Sequence, residues 1–235
     1  MFPYFIPLIV NMKPNPTFSF IFTLLFTGLL YTHLPSTAAF VSPTAAASTT
    51  TGPNTEFIYK SCQHTLYPDV CYATLSGYAS AVQQDAGRLA RVAIAVSLSK
   101  ARRVTTYVNN NLSPLADNGD DHRVAAVLND CSSTLGDSVD QMQDSLMQMK
   151  RLGGSADEQG FQLNNVLTWM SAAETNEDTC VDGFDDVESG PVRSGVYNGV
   201  VKVKELTSNA LALVNALANK VVEARFGCQS AIDGD

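Results

Sequence analysis

Apolar residues recur at helical spacing from Glu56 onward. The clearest run is Val124, Leu128, Cys131, Leu135, Val139, Met142, Leu146 and Met149, whose steps of three and four put every side chain on one helical stripe. A second run near the C-terminal end repeats the pattern with Val196, Val200, Val203, Leu206, Ala210, Leu213, Leu217 and Val221. An earlier segment carries Val82, Leu89, Val92 and Val96, then Val104 and Val108. A less regular one places Val166, Trp169, Met170 and Ala173 on a shared face. Strand-like alternation over five or more residues does not occur. Stretches rich in Pro, Gly and Asp separate the segments at 113–121 ("SPLADNGDD"), 152–157 ("LGGSAD") and 188–191 ("ESGP"). An amphipathic helix cannot bury its stripe alone, whereas four of them can as an antiparallel up-and-down bundle. The pattern therefore predicts an all-α fold.

The predicted helix ends carry suitable chemistry. Asp120 or Asp121 can cap the second long helix, and Ser155 or Asp157 the third. Ser155 and Glu158 have capping-box spacing. Pro191 suits the first turn of the last helix, where its missing N–H is harmless.

The N-terminal region reads differently. Lys13 precedes a mostly apolar, uncharged run at 18–31, and small residues follow, so 1–39 reads as a signal peptide. Cleavage fits after Ala38, Ala39 or one of Ala45 to Ala47, and translation starts at Met1 or Met12. The run is short of the roughly 20 residues that span a bilayer. The alternative is a longer, retained anchor built from the first apolar stretch. Residues 40–55, rich in Pro, Ser, Thr and Ala, read as a flexible leader. The folded domain is then expected at 56–235, with a helical hairpin at 56–80 and the four-helix bundle at 81–228.

Removing the signal leaves 14 basic against 23 acidic side chains, a net charge of −9. That balance argues against nucleic acid, where a basic stripe is expected, and against direct binding to acidic polysaccharide. It favours a basic partner, though solubility alone explains it as well.

Five cysteines, Cys62, Cys71, Cys131, Cys180 and Cys228, sit in a chain read as secreted, so pairing is the default. Cys62 and Cys71 lie nearest each other in "SCQHTLYPDVC", with Pro68 and Asp69 able to reverse the chain between them. Cys131 is on the stripe of the second long helix and Cys180 is near the end of the third. In antiparallel neighbours those heights can coincide, giving a second bridge. The chain-entropy model assigns the two loops about 2.7 and about 4 kcal/mol. Cys228 is left as a free or intermolecularly paired thiol. Zinc on Cys62, His64 and Cys71 would have only three ligands at irregular spacing. No C-x-x-C supports redox work.

No catalytic constellation stands out. His64 and His122 lie in polar surroundings, and no nucleophile elbow, phosphate loop or zinc-protease motif is present. Asp137, Asp140 and Asp144 share a polar helix face and read as solvated. The segment 178–188, "DTCVDGFDDVE", approximates a calcium loop, but Cys180 and Ser189 occupy two ligand places, so no metal is expected. No cofactor is expected either. Asn111 begins an N-x-S sequon, "NLS", with Pro114 directly after it, and is a candidate glycosylation site. What the residues describe is a stapled, acidic, secreted bundle whose business is binding.

Four pieces in order resemble one family: "CQHTLYPDVCYATL" (62–75), "LNDCSSTLGDSVDQMQDSL" (128–146), "NVLTWMSAAETNEDTCVDGF" (165–184) and "TSNALALVNAL" (207–217). The region from Phe57 to Cys228 is similar to the plant invertase and pectin methylesterase inhibitor domain. The resemblance implies a four-helix bundle with an N-terminal helical hairpin, and bridges from first to second and third to fourth cysteine. It implies no enzyme activity. It implies a secreted inhibitor of the apoplast and cell wall that blocks a target's substrate cleft in a one-to-one complex, using polar residues of the second, third and fourth bundle helices. Invertase inhibitors of the family carry Pro-Lys-Phe before the third bundle helix, where this chain reads "GGSADEQGF". Methylesterase inhibitors carry Thr before the fourth cysteine and an acid soon after, and here Thr179 and Asp182 match. Those two are the candidate partner-binding residues, expected to meet on one helix face or else merely to brace the helix. Pectin methylesterase is thus the expected partner and acid invertase the alternative. A structural or small-ligand bundle is the reading from another class. Because the domain also precedes methylesterase domains, the chain reads either as a free inhibitor or as a fragment.

Overall fold

The chain turns helical at once: the computed structural model describes residues 52–118, 122–188 and 190–232, and every regular element among them is a helix. The expected signal peptide, the leader up to Thr51, and the Asp120 and Asp121 caps lie outside the described residues.

Helices α1 (Pro53–Cys62) and α2 (Pro68–Leu75) form the N-terminal hairpin, closed by the Cys62–Cys71 bridge with Cα atoms 5.5 Å apart. Two expectations are corrected here. The leader does not extend to residue 55, because the Gly52 carbonyl already accepts the N–H groups of Thr55 (2.9 Å) and Glu56 (3.0 Å). Pro68 does not reverse the chain but opens α2, where its fixed φ suits a first helical turn. The reversal falls on 63–67. Asn209 of the last helix fixes it, accepting the Tyr67 N–H at 3.1 Å and donating to the Tyr67 carbonyl at 2.9 Å. The rings of Tyr59 and Tyr72 meet edge to face at 5.5 Å across the hairpin.

A 3-10 turn (Ser76–Tyr78) and the single turn α3 (Ala79–Val82) follow. Gln83 (φ 51°) and Gln84 (φ 61°) are then both left-handed and swing the chain into the bundle. Their side chains are tied down, Gln83 by Arg88 and Gln84 by Asn54.

The bundle comprises α4 (Ala86–Asn118), α5 (His122–Lys150), α6 (Ala156–Asp182) and α7 (Pro191–Ile232). Each packs on two neighbours, α4 on α5 and α7, and α6 on α5 and α7. Pairs across the seams run in opposite directions, Arg102 to Gln143 and Asn109 to Ser132 between α4 and α5, Gln141 to Asn176 and Cys131 to Cys180 between α5 and α6. This is the antiparallel four-helix bundle that the periodicity predicts, preceded by the hairpin expected from the Cys62–Cys71 pair and the family resemblance. Ile58, Cys62, Cys71 and Leu75 of the hairpin belong to the same core as the bundle stripes.

The stripes differ in detail. On α4 the buried line is Ala90, Ile94, Ser97, Ala101, Val104 and Val108, while Val92 and Val96 are only half-buried. Small residues carry that line because α7 comes close. A Cβ on Gly199 would sit 3.3 Å from Val104, and one on Gly195 would strike the Tyr107 hydroxyl. The loop expected at 113–121 is also later than Ser113 and Pro114 signal, since α4 stays helical to Asn118. One missing N–H, four residues before the end, does not stop a 33-residue helix whose earlier turns are packed. Trp169 is half-buried, and Leu163, Val166, Met170 and Ala173 form the inner face of α6.

Candidate functional site

Helix α6 stands between α5 and α7, and its inner and outer faces do different things. Ser155 starts it. The Ser155 hydroxyl accepts the Glu158 N–H (3.3 Å), and the Glu158 carboxylate accepts the Ser155 N–H (2.7 Å), a complete capping box. The Ser155 N–H and the Ser155 hydroxyl, which donates to the same carboxylate oxygen at 3.0 Å, hold the exposed Glu158 carboxyl below its ordinary pKa. Gly154, at φ 91°, delivers the chain into this cap in a backbone conformation that L side chains rarely adopt, and a Cβ there would meet the Glu158 carboxylate.

Near its other end the inner face carries Cys180, bridged to Cys131 of α5 with Cα atoms 4.4 Å apart. One turn earlier, Glu177 is fully buried. Its Oε1 accepts hydroxyl hydrogen bonds from Ser138 of α5 (2.9 Å) and Thr207 of α7 (2.9 Å), so one carboxyl ties three helices together. Oε2 has no partner. Burial pushes the carboxyl up to about 8, against the pull of the two hydroxyls, and the neighbouring Glu174 and Asp178 add to the rise. Below that pH the group is an uncharged acid. Around it, Asn176 donates to Gln141 of α5 (3.1 Å) and Asp178 pairs with Lys204 of α7, which raises the Lys204 pKa.

From Asn164 to Thr179 the outer face of α6 is polar. Asn164, Thr168, Ser171, Thr175 and Thr179 are all exposed and follow one another by a helical turn. The Thr168, Thr175 and Thr179 hydroxyls each donate to the carbonyl four residues back, at 2.9, 3.0 and 2.9 Å. With their protons spent on the backbone, these oxygens face outward as acceptors. Beside the ridge lie exposed carboxylates, Asp182 on α6 and Asp130, Asp137, Asp140 and Asp144 on α5.

The region matches the family model for the plant invertase/pectin methylesterase inhibitor over residues 56–213. The chain belongs to this family. "Pectinesterase inhibitor 3" of Arabidopsis thaliana is 39% identical to it over 166 residues, an overlap of 69% of this chain and 79% of that one. The "21 kDa protein" of Daucus carota is 38% identical over 74% of this chain and 90% of its own. In three dimensions the chain is similar to a crystallised mutant of a pectin methylesterase inhibitor from Arabidopsis, with a TM-score of 0.52 at 21% identity over 66% of this chain, a likeness of fold.

In this inhibitor-family chain the expected partner residues fall on the outer face of α6, beside the bridge. Thr179 and Asp182 are both exposed, but the Thr179 hydroxyl goes to the Thr175 carbonyl and not to the Asp182 carboxylate. The helix backbone offers the nearer acceptor. Asn111 lies elsewhere, on α4, and its carboxamide donates to the Tyr107 carbonyl at 2.8 Å. The side chain of Cys228 lies outside the described residues, although α7 runs past it. Bonded to each other, Cys62 and Cys71 cannot hold zinc with the exposed His64. The calcium-like stretch begins as helix, with its third position consumed by the Cys180 bridge. Among the described residues no three His, Cys, Asp or Glu side chains gather to hold a metal, and no helix is long and apolar enough to cross a membrane. Where invertase inhibitors of the family carry Pro-Lys-Phe, the chain instead has the Gly154 turn and capping box, then Phe161, 68% exposed.

Sequence reasoning missed the polar hub. The α5 stripe reads Leu135, Ser138, Met142, Ser145, Met149, not through Val139 and Leu146, which are half-buried. Glu177 and Thr207 likewise sit on buried stripes. A signal was present: Leu163, Val166, Met170, Ala173, Glu177 and Cys180 keep helical steps, so an acid occupies a core position.

Proposed function

We propose that the protein is a secreted inhibitor of plant cell-wall pectin methylesterase, and that it covers the enzyme's pectin cleft in a one-to-one complex. The observation that carries this reading is the 39% identity to a pectinesterase inhibitor across most of both chains. The geometry of α6 supports it. A ridge of exposed Thr and Ser side chains, flanked by α5 and α6 carboxylates, suits a polar, basic partner surface. Thr179 and Asp182 lie on that ridge. The Cys131–Cys180 bridge and the Glu177 hub directly behind it hold the ridge rigid, which lowers the ordering cost of binding.

Light scattering and calorimetry on mixtures with purified pectin methylesterase test the proposal. The expected result is a one-to-one complex that pectin-derived oligosaccharide displaces. A complex that forms equally well with the cleft saturated overturns occlusion. T179A/D182N is expected to weaken binding at least tenfold with an unchanged thermal midpoint, and unchanged affinity removes these two residues from the contact.

A further inference from the structure

The net charge of this chain conceals a division between its faces. Residues 122–188 hold thirteen carboxylates against three Arg or Lys side chains. Helix α4 is the reverse: Arg88, Arg91, Lys100, Arg102 and Arg103 lie on it, and no acid occurs between Ala86 and Asn111. At about 100° per residue the four arginines fall within an arc of about 120°, opposite the buried line from Ala90 to Val108. From Arg88 to Arg103 they extend along about 22 Å of helix. None of the five forms an ion pair among the described residues. Arg88 and Arg102 bond only to the neutral amides of Gln83 and Gln143. The nearest acid in sequence, Asp85, caps the first turn through the Arg88 N–H (2.7 Å). One turn beyond Arg103, Tyr107 is 41% exposed.

We propose that this outward face of α4 docks a linear polycarboxylate glycan, namely a de-esterified stretch of pectin. A row of guanidinium forks matches carboxylates repeated along a chain, because each fork receives one carboxylate through two parallel hydrogen bonds. The part-exposed Tyr107 side chain extends this face with an aromatic contact for a sugar ring. The acidic side of the bundle does not forbid the contact, since charges more than about 8 Å apart are largely screened at physiological ionic strength. Methyl-esterified pectin lacks the anionic groups and gains nothing from this face. The choice of a pectic glycan among polyanions rests on the cell-wall reading above; the basic face itself does not. The consequence is an inhibitor held on the product of the enzyme that it inhibits, with its α6 ridge, on a helix that does not pack against α4, left free.

Calorimetry with polygalacturonate oligomers and with their fully methyl-esterified counterparts, at low and at physiological salt, tests the proposal. Wild type is expected to bind the de-esterified oligomers, more weakly as salt rises, and not the esterified ones. R91Q/K100Q/R103Q, whose wild-type side chains make no hydrogen bond or ion pair among the described residues and whose thermal midpoint is checked first, is expected to lose at least tenfold in affinity. Equal binding of both glycans, no binding, or unchanged binding by the triple variant overturns the proposal, as does binding only to vesicles of anionic phospholipid. Inhibition of pectin methylesterase by the same variant, read in parallel without glycan, reports separately on the proposed function and is expected to stay at the wild-type level.

Discussion

Glu177 places a carboxylic acid where α6 would otherwise present an apolar side chain to the core. Its raised pKa fixes the sign of a linkage. The unfolded chain releases this proton near 4.5, the folded one near 8, so between those values the native state holds more protons and stability falls as pH rises. The contribution is fully present below about 4.5 and gone above about 8, and a shift of that size corresponds to a few kcal/mol. E177Q keeps an acceptor for Ser138 and Thr207 and cannot ionise. Urea denaturation from pH 4.5 to 8 is expected to show wild type losing stability relative to E177Q across that range. Parallel curves would contradict the assignment. Facing charges bear on the same group: Glu174 and Asp178 on α6, with Lys204 of α7 engaged by Asp178, while α5 brings the Ser138 hydroxyl to it and keeps Asp137 and Asp140 exposed.

At the scale of elements, helix ends and staples decide the stability. S155A removes one half of the capping box that starts α6 and is expected to cost about 1 kcal/mol. That is a fall of about 2–4 °C in thermal midpoint for a chain of this size. G154A forces a left-handed backbone and a clash with Glu158, and is expected to cost as much or more. Replacing Cys131 and Cys180 by Ser opens a 49-residue loop worth about 4 kcal/mol in the chain-entropy model, measured as a drop in denaturation midpoint. These elements show where the sequence could be read and where it could not. Long apolar stripes on α5 and α7 expose their period because Leu, Met and Val mark it. On α4 the true stripe runs through Ala90, Ser97 and Ala101, small residues demanded by the close approach of α7, and periodicity over large apolar residues skips them. The capping box at Ser155 was legible because its two partners are three residues apart. The Ser138–Glu177–Thr207 hub was not, because its members come from three helices and meet only in the bundle.

For the whole molecule, charge segregation matters more than net charge. The α5–α6 side presents carboxylates and a Thr ridge to a protein partner, and α4 presents arginines on another side. Attraction between these carboxylates and a basic enzyme surface is screened by salt, so affinity for pectin methylesterase is expected to fall as ionic strength rises. A flat profile of dissociation constants rules that out. The target is decided by titrating a fixed amount of plant pectin methylesterase and, separately, of acid invertase with the purified protein. Methylesterase activity is expected to decline linearly to near zero at one equivalent while invertase activity is untouched. Full methylesterase activity at several equivalents, or loss of invertase activity alone, would contradict it.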